Sequence, residues 1–302
     1  MKTSSSSLGR LPWLVGFTIL ALGAGTAWSA TSIQSFSAAT NDRFANDPSF
    51  VGAAYDFSGV GRDALGHWAV MLSPTVFLSA HHHQPVGSLI FYPGNDPAAT
   101  PETVMIDEGQ RIGGTDLYIG RLDSPVSAAI KTYSFVTIPP GSIDTLSNAY
   151  VFMNGISPTT AGYGSGSPDV TDQTVGTNLI EGFQSELTVG SAVGDAIFTI
   201  RNLAGDGIYG YGVTTHEAQL AVGDSGSPLF ALSGGNLVVA GISWAVGTLN
   251  LAIGPREFSA YTYTGSYTGA IEDYIEVAAV PEPSSLLLIS ASAMLLGLRR
   301  RK

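Results

Sequence analysis

The sequence predicts an all-β protein. Three observations carry that expectation. The chain holds 37 glycines in 302 residues, with 44% hydrophobic and only 12% charged residues. Its apolar stretches are short and are cut at close intervals by Gly, Pro, Asp and Asn, the residues that favour turns. Apolar positions recurring every three to four residues, the mark of an amphipathic helix, are nearly absent before the last segment. Several short strands with regular turn signals point to a sandwich or barrel, and no internal repeat of fixed period is present.

The elements follow in order. Lys2 and Arg10 precede an apolar run from Leu11 to Ala24, and the small residues of Ala27-Trp28-Ser29-Ala30 come next. This is the layout of a secretory signal peptide over residues 1–29, with cleavage after Ser29 or Ala27. At about 14 residues the run is short for a membrane span. Residues 30–50 are polar and read as a leader lying on the surface. One folded body is expected over residues 51–279, with Pro139-Pro140-Gly141 as a seam between parts at about 51–137 and 142–265.

In the first part, His67 to Leu72 and Thr75 to Ser79 read as strands around a Ser73-Pro74 turn. Leu89 to Tyr92, Thr103 to Ile106 and Leu117 to Leu122 are further candidates. In the second part they are Ala149 to Met153, Glu186 to Val189, Ala196 to Ile200, Leu237 to Ser243 and Phe258 to Tyr263. A helix is expected from Tyr267 to Val277, where Ile271, Tyr274 and Ile275 share a face.

Charge and cysteine content exclude whole classes of function. Six of the 13 basic residues (Lys2, Arg10, Arg299, Arg300, Arg301 and Lys302) lie in the two ends, with Glu282 alone of the 24 acidic ones. The body keeps 7 basic and 23 acidic residues, a net charge of −16. Such a surface repels nucleic acid and anionic membranes and serves solubility. With no cysteine, a thiol nucleophile, a zinc–thiolate site and a cysteine-ligated iron–sulfur cluster are all excluded. An exported domain without disulfides must be held by its core alone.

Acyl transfer by a serine requires a hydroxyl, a base, a carboxylate to orient the base, and donors for the oxyanion. Gly223-Asp224-Ser225-Gly226-Ser227-Pro228 supplies a serine between glycines that let the backbone turn tightly and gather N–H groups. Alone, that run reads equally well as a surface turn. Ser79-Ala80-His81-His82-His83 follows a strand hairpin, and Asp116-Leu117-Tyr118-Ile119-Gly120-Arg121-Leu122 comes later. The three histidines also permit a metal-binding tract, but no partner cluster or neighbouring carboxylate accompanies them. His67 and His216 read as ordinary surface or core residues.

Together these segments resemble the chymotrypsin/trypsin-like serine peptidases. The family order His, Asp, Ser is matched by three local motifs: Thr/Ser-Ala-x-His at Ser79 to His82, Asp-hydrophobic-x-hydrophobic-x-Lys/Arg-Leu at Asp116 to Leu122, and Gly-Asp-Ser-Gly-Gly/Ser-Pro at Gly223 to Pro228. Ala161-Gly162-Tyr163-Gly164 and Gly241-Ile242-Ser243-Trp244 are weaker echoes. The resemblance implies two six-stranded Greek-key β-barrels with a short C-terminal helix and an active site between the barrels. It implies an endopeptidase needing no metal and no cofactor. His82 would be the base, Asp116 its orienter and Ser225 the nucleophile, with Gly223 and Ser225 N–H groups as the oxyanion hole. Ser243 would bond Asp116, and Asp224 would hold the oxyanion loop. Ungapped matching selects His82, while His81 would need a one-residue shift.

The departures matter too. His83 stands where the family often has cysteine, and no Ile-Val N-terminus is evident. Gln219, six residues before the nucleophile, occupies the floor of the specificity pocket, which disfavours a Lys/Arg preference. Ala245 replaces a wall glycine and makes the pocket shallower.

At the end of the chain, Val280-Pro281-Glu282-Pro283-Ser284-Ser285 leads into the apolar run Leu286 to Leu298 and then Arg299-Arg300-Arg301-Lys302. Residues 280–302 closely resemble the PEP-CTERM sorting signal of Gram-negative bacteria. That resemblance implies a transient membrane anchor, processing by a membrane-embedded exosortase-type enzyme, and association with exopolysaccharide. The expected locations are the cell envelope, the cell surface or the extracellular matrix. A rival reading is a catalytically silent surface or matrix protein that retains the peptidase fold.

Overall fold

The computed structural model describes residues 17–21, 31–147, 149–158, 169–202, 214–251 and 254–279. Most of the signal peptide, the Ala161–Gly164 turn and the 280–302 tail lie outside the described residues. Strands β1 (Phe17–Ala21) and β2 (Ser32–Ile33) precede a first unit of β3 (Val60–Arg62), β4 (Trp68–Met71), β5 (Val76–Ala80), β6 (Ser88–Phe91), β7 (Glu102–Arg111) and β8 (Leu117–Leu122). These six close into a barrel in the order β3-β4-β5-β8-β7-β6, completed where Arg62 pairs with Ile90. Every residue of β4 is buried, because the strand has apolar neighbours on both sides. Ala69 and Met71 face a barrel interior made with Phe77, Leu89, Phe91 and Leu122. Trp68 and Val70 face the other way, into a core shared with the second unit.

The second unit follows a linker strand β9 (Ser134–Phe135) and a 3-10 turn at Pro140–Leu146, where the seam was expected. It comprises β10 (Tyr150–Gly155), β11 (Thr174–Leu179), β12 (Gly182–Val189), β13 (Ala192–Ile200), β14 (Ala218–Gln219), β15 (Pro228–Ser233), β16 (Asn236–Leu251) and β17 (Gly254–Tyr263). Its main path runs β11-β10-β15-β16-β17-β13-β12, and β1 and β9 also pair with β16. Among the described residues this second sheet is curled and open, whereas the first unit is closed. The all-β class expected from the sequence is therefore present, with α2 (Thr268–Ala279) as the short C-terminal helix. Its Ile271 is fully buried against the shared core, and Tyr274 and Ile275 pack beside it.

That core also decides how the two units meet. Phe57 lies edge-on to Phe152 and Phe230, and Tyr133 packs on Phe230, so aromatic rings from both units interlock. Such contacts between rings add to the burial they bring.

One expectation is corrected. The segment from Thr31 to Phe50 lies only partly on the surface: Ser35, Ser37, Asn46 and Ser49 are exposed, but Thr31, Asn41, Arg43 and Phe50 are buried. After β2 pairs with β14, the segment forms the four-residue helix α1 (Ala38–Asn41), capped by Ser37. Arg43 then donates to the carbonyls of Val60, Tyr92 and Gly94 and to the side chains of Gln173 and Asn95. Polar composition suggested solvent, but these side chains find their partners inside.

Candidate active site

The site is built where the two units face each other. Strand β5 is buried along its whole length and ends at Ala80, which pairs with Leu117 of β8. The residues just past that pair are therefore neighbours: the 3-10 turn His81–His83 and Asp116. His81 N–H donates to the Asp116 carbonyl at 2.6 Å, and His82 N–H donates to Asp116 Oδ1 at 3.0 Å. The second carboxylate oxygen accepts from His82 Nδ1 at 2.6 Å. Asp116 thus holds the same residue by backbone and ring. Thr115 Oγ1 accepts from Leu117 N–H and donates to the Ile112 carbonyl, fixing the turn that carries the carboxylate.

Ser225 comes from the loop between β14 and β15, in the second unit. Its hydroxyl lies 2.9 Å from His82 Nε2. The loop needs its glycines. Gly223 and Gly226 have φ of +106° and +87°, a region side chains rarely adopt. A Cβ on Gly226 would also come within 2.8 Å of Ser79 Oγ. The first unit grips this loop, because Trp68 Nε1 donates to the Gly223 carbonyl at 3.1 Å and Ser79 Oγ donates to the Trp68 carbonyl.

Asp224 anchors the loop from the other side. Its carboxylate accepts from Thr31 Oγ1, Ile156 N–H and Ala221 N–H, each at 2.8 Å. Complete burial outweighs these bonds and pushes its pKa up to about 7.

The other expected site residues have these places. Ser243 does not bond Asp116: its hydroxyl shares a 2.7 Å hydrogen bond with Ser227, because the backbone of Ser227 pairs with Ser243 and brings the two side chains together. Gln219 donates from Nε2 to the Phe258 carbonyl at 2.8 Å, and its Oε1 is buried with no partner among the described residues. Ala245 is buried, and in the sheet its backbone is in register with Ala260 of β17 and Ala21 of β1. His81 meets Asp116 through its backbone, and the ring that bridges carboxylate and hydroxyl belongs to His82. Among the described residues no three His, Cys, Asp or Glu side chains gather as a metal site.

Three groups at the site escape the sequence. Thr31 reaches Asp224 from a segment read as a leader. His67 looked ordinary, yet its ring is paired with buried Asp63 at 2.7 Å. His83, noted only for the missing cysteine, packs against both His67 and His82. An Asp four residues before a His across a tight turn was the one available signal for the Asp63–His67 pair.

An imidazole held by a carboxylate on one nitrogen and by a serine hydroxyl on the other can take the hydroxyl proton as the oxygen attacks a carbonyl. Ser225 has no exposed surface.

Comparison with known proteins adds two findings. Residues 279–302 match the PEP-CTERM protein-sorting motif. That motif marks the chain for export, with C-terminal processing or anchoring, in a Gram-negative bacterium. Among solved structures, the chain is similar to neuropsin, a serine protease expressed in the limbic system of mouse brain, with a TM-score of 0.43 and 14% identity. The match covers 69% of this chain and 88% of that one. No curated protein matches the chain by sequence. Among the described residues no helix is long and apolar enough to cross a membrane.

Proposed function

We propose that the chain is an exported, chymotrypsin-like serine endopeptidase that hydrolyses peptide bonds through an acyl-enzyme on Ser225. The observation that carries this reading is the bridge of His82 between Asp116 Oδ2 at 2.6 Å and Ser225 Oγ at 2.9 Å. In the reaction, His82 takes the proton from Ser225 and later delivers it to the leaving amine. Asp116 keeps the ring in one tautomer and stabilises the imidazolium. The N–H groups of Gly223 and Ser225 receive the oxyanion, on a loop that Asp224 holds in shape. Ser243 supports this loop through Ser227 and not the carboxylate.

Substrate preference follows from the pocket. Gln219 presents an amide where a trypsin-like enzyme needs a carboxylate, so cationic side chains gain no ion pair there. Protein or peptide is the substrate class. At the tail, an exosortase-type enzyme is the processing partner, and exopolysaccharide association follows from the sorting system. The mature protein belongs at the cell envelope, the cell surface or the extracellular matrix.

The burial of Ser225 favours a second reading, a silent surface or matrix protein on the same fold. A serine-directed fluorophosphonate probe separates the two. The peptidase reading expects the mature protein to label and Ser225→Ala to stay unlabelled. Mature protein that takes no label, under conditions where it is folded, supports the silent reading.

A further inference from the structure

The turn that carries Asp116 is held by a residue that the mechanism above does not use. Strand β7 ends at Arg111, and Gly113-Gly114-Thr115 leads into Asp116. Two consecutive glycines leave the backbone unusually free, because neither has a Cβ to restrict it. Gly113 turns through a φ of +57°, and a Cβ on either glycine would meet nothing within 4 Å. Packing therefore does little to restrain the two glycines, and hydrogen bonds do it instead. Arg111 Nε donates to the Thr115 carbonyl, and its Nη2 donates to the Gly114 carbonyl at 2.7 Å and reaches the Ser191 carbonyl at 3.4 Å. Val193 N–H donates to the same Gly114 carbonyl at 3.0 Å. Ser191 and Val193 lie at the tip of the β12–β13 hairpin, in the second unit. That hairpin is fixed in turn at the start of α2, where Tyr267 Oη accepts from Asp195 N–H at 2.9 Å and Ser266 Oγ donates to Asp195 Oδ2 at 2.7 Å. Among the described residues the Arg111 guanidinium forms no ion pair, although the body holds 23 acidic residues and only 7 basic ones. Its donors go to the backbone of both units instead.

We propose that Arg111 is a positioning residue: its guanidinium fastens the glycine turn to the β12–β13 hairpin and so holds Asp116 in line with His82 Nδ1. The inference rests on reading Asp116 as the group that orients the base. Arginine suits the task because its planar fork offers several N–H groups in fixed directions, so one side chain serves carbonyls from both units. A lysine carries the same charge at a single point and cannot span them. The fastening also acts across the molecule. Asp116 belongs to the barrel and Ser225 to the second sheet, so a tie between the Asp116 turn and the second unit limits movement of the base away from the nucleophile. The chain has no cysteine with which to make such a tie covalently.

The test compares Arg111→Met, which keeps the stem without the donors, with Arg111→Lys, which keeps the charge without the fork. The readouts are peptide hydrolysis by the mature protein and the proton NMR signal of His82 Nδ1–H, with thermal unfolding as the control for folding. Small misplacement of a catalytic group costs on the order of 10²-fold in rate. Both variants are therefore expected to lose kcat on that order with little change in KM. Both should also move the Nδ1–H signal upfield, as the bond to Asp116 weakens. Arg111→Lys serves alone if Arg111→Met does not fold. Wild-type kcat in both variants, full kcat in the Lys variant beside a loss in the Met variant, or a loss with an unmoved Nδ1–H signal would overturn the proposal while leaving the Asp116 assignment intact. An Asp116→Asn protein as fast as wild type, or a wild type that hydrolyses nothing, would defeat that assignment itself.

Discussion

Thr31 and Asp224 are 193 residues apart in the chain, yet their side chains meet at 2.8 Å in the interior. The carboxylate lies buried inside the nucleophile loop, so each donor counts. Thr31→Val keeps the shape and removes one donor, and it should cost about 1–3 kcal/mol of stability. Thr31→Ser should cost far less, and urea unfolding of the two variants distinguishes them. Equal stability of wild type and Thr31→Val would mean that the other two donors suffice. None of this was legible beforehand, since one threonine in a polar stretch has no periodicity to mark it. His82 differs. The Ser-Ala-x-His spacing places it two residues beyond a buried strand end, and its ring is the one that bridges Asp116 and Ser225. The Ser243 bond to Asp116 was carried over from the family resemblance, and the local pairing of Ser227 with Ser243 redirects it.

At the scale of elements, the legible strands were those with apolar runs and a turn at each end. Leu117–Leu122 was read to the residue, β4, β5 and β6 lie close to their expected bounds, and β13 begins four residues earlier than expected, at Ala192. β11 (Thr174–Leu179) was missed because it is polar yet buried. Thr174 and Val175 are bonded to Asn41 of the misread leader, and Asn178 to the carbonyls of Ile200 and Ala218. A polar strand whose partners come from distant segments has no alternation to detect. β1 bears on function. It pairs with β16 from Ala245 to Leu249, along the edge that continues from Ser243, and an open edge of this kind can accept an extended peptide as an added strand. With residues 1–29 removed, no strand among the described residues pairs with that edge. The chain beginning at Ala30 should then label at Ser225 faster than the full chain, by about tenfold or more if the edge is mostly covered beforehand. Equal labelling rates would show that β1 does not obstruct the site.

The whole molecule divides its chemistry between its parts. The barrel supplies His82 and Asp116, the second sheet supplies Ser225, and the aromatic core between them sets their distance. The order of the three motifs could be read from the chain, but the grip of Trp68 on Gly223 could not, because it joins segments far apart in sequence. Stability of the whole carries a pH signature. Glu181 is buried beside Glu217, and burial pushes its pKa up to about 8. The folded chain therefore binds a proton that the unfolded chain has released, and stability falls as pH rises toward 8. His83 and His216, held below the usual histidine range, act in the opposite sense, but only at lower pH. Between about pH 6.5 and 8, urea midpoints should fall, and Glu181→Gln should lessen that fall, with Asp224, raised to about 7, sharing in it below pH 7. An unchanged slope in the variant would place the titration elsewhere.

The central claim, that Ser225 and His82 act as one unit, is tested most directly by peptide hydrolysis in Ser225→Ala, His82→Ala and the double variant. Groups that act together show losses that do not add. The account predicts that each single variant loses nearly as much kcat as the double. Independent losses that multiply in the double variant, or a Ser225→Ala protein that still turns over, would contradict it.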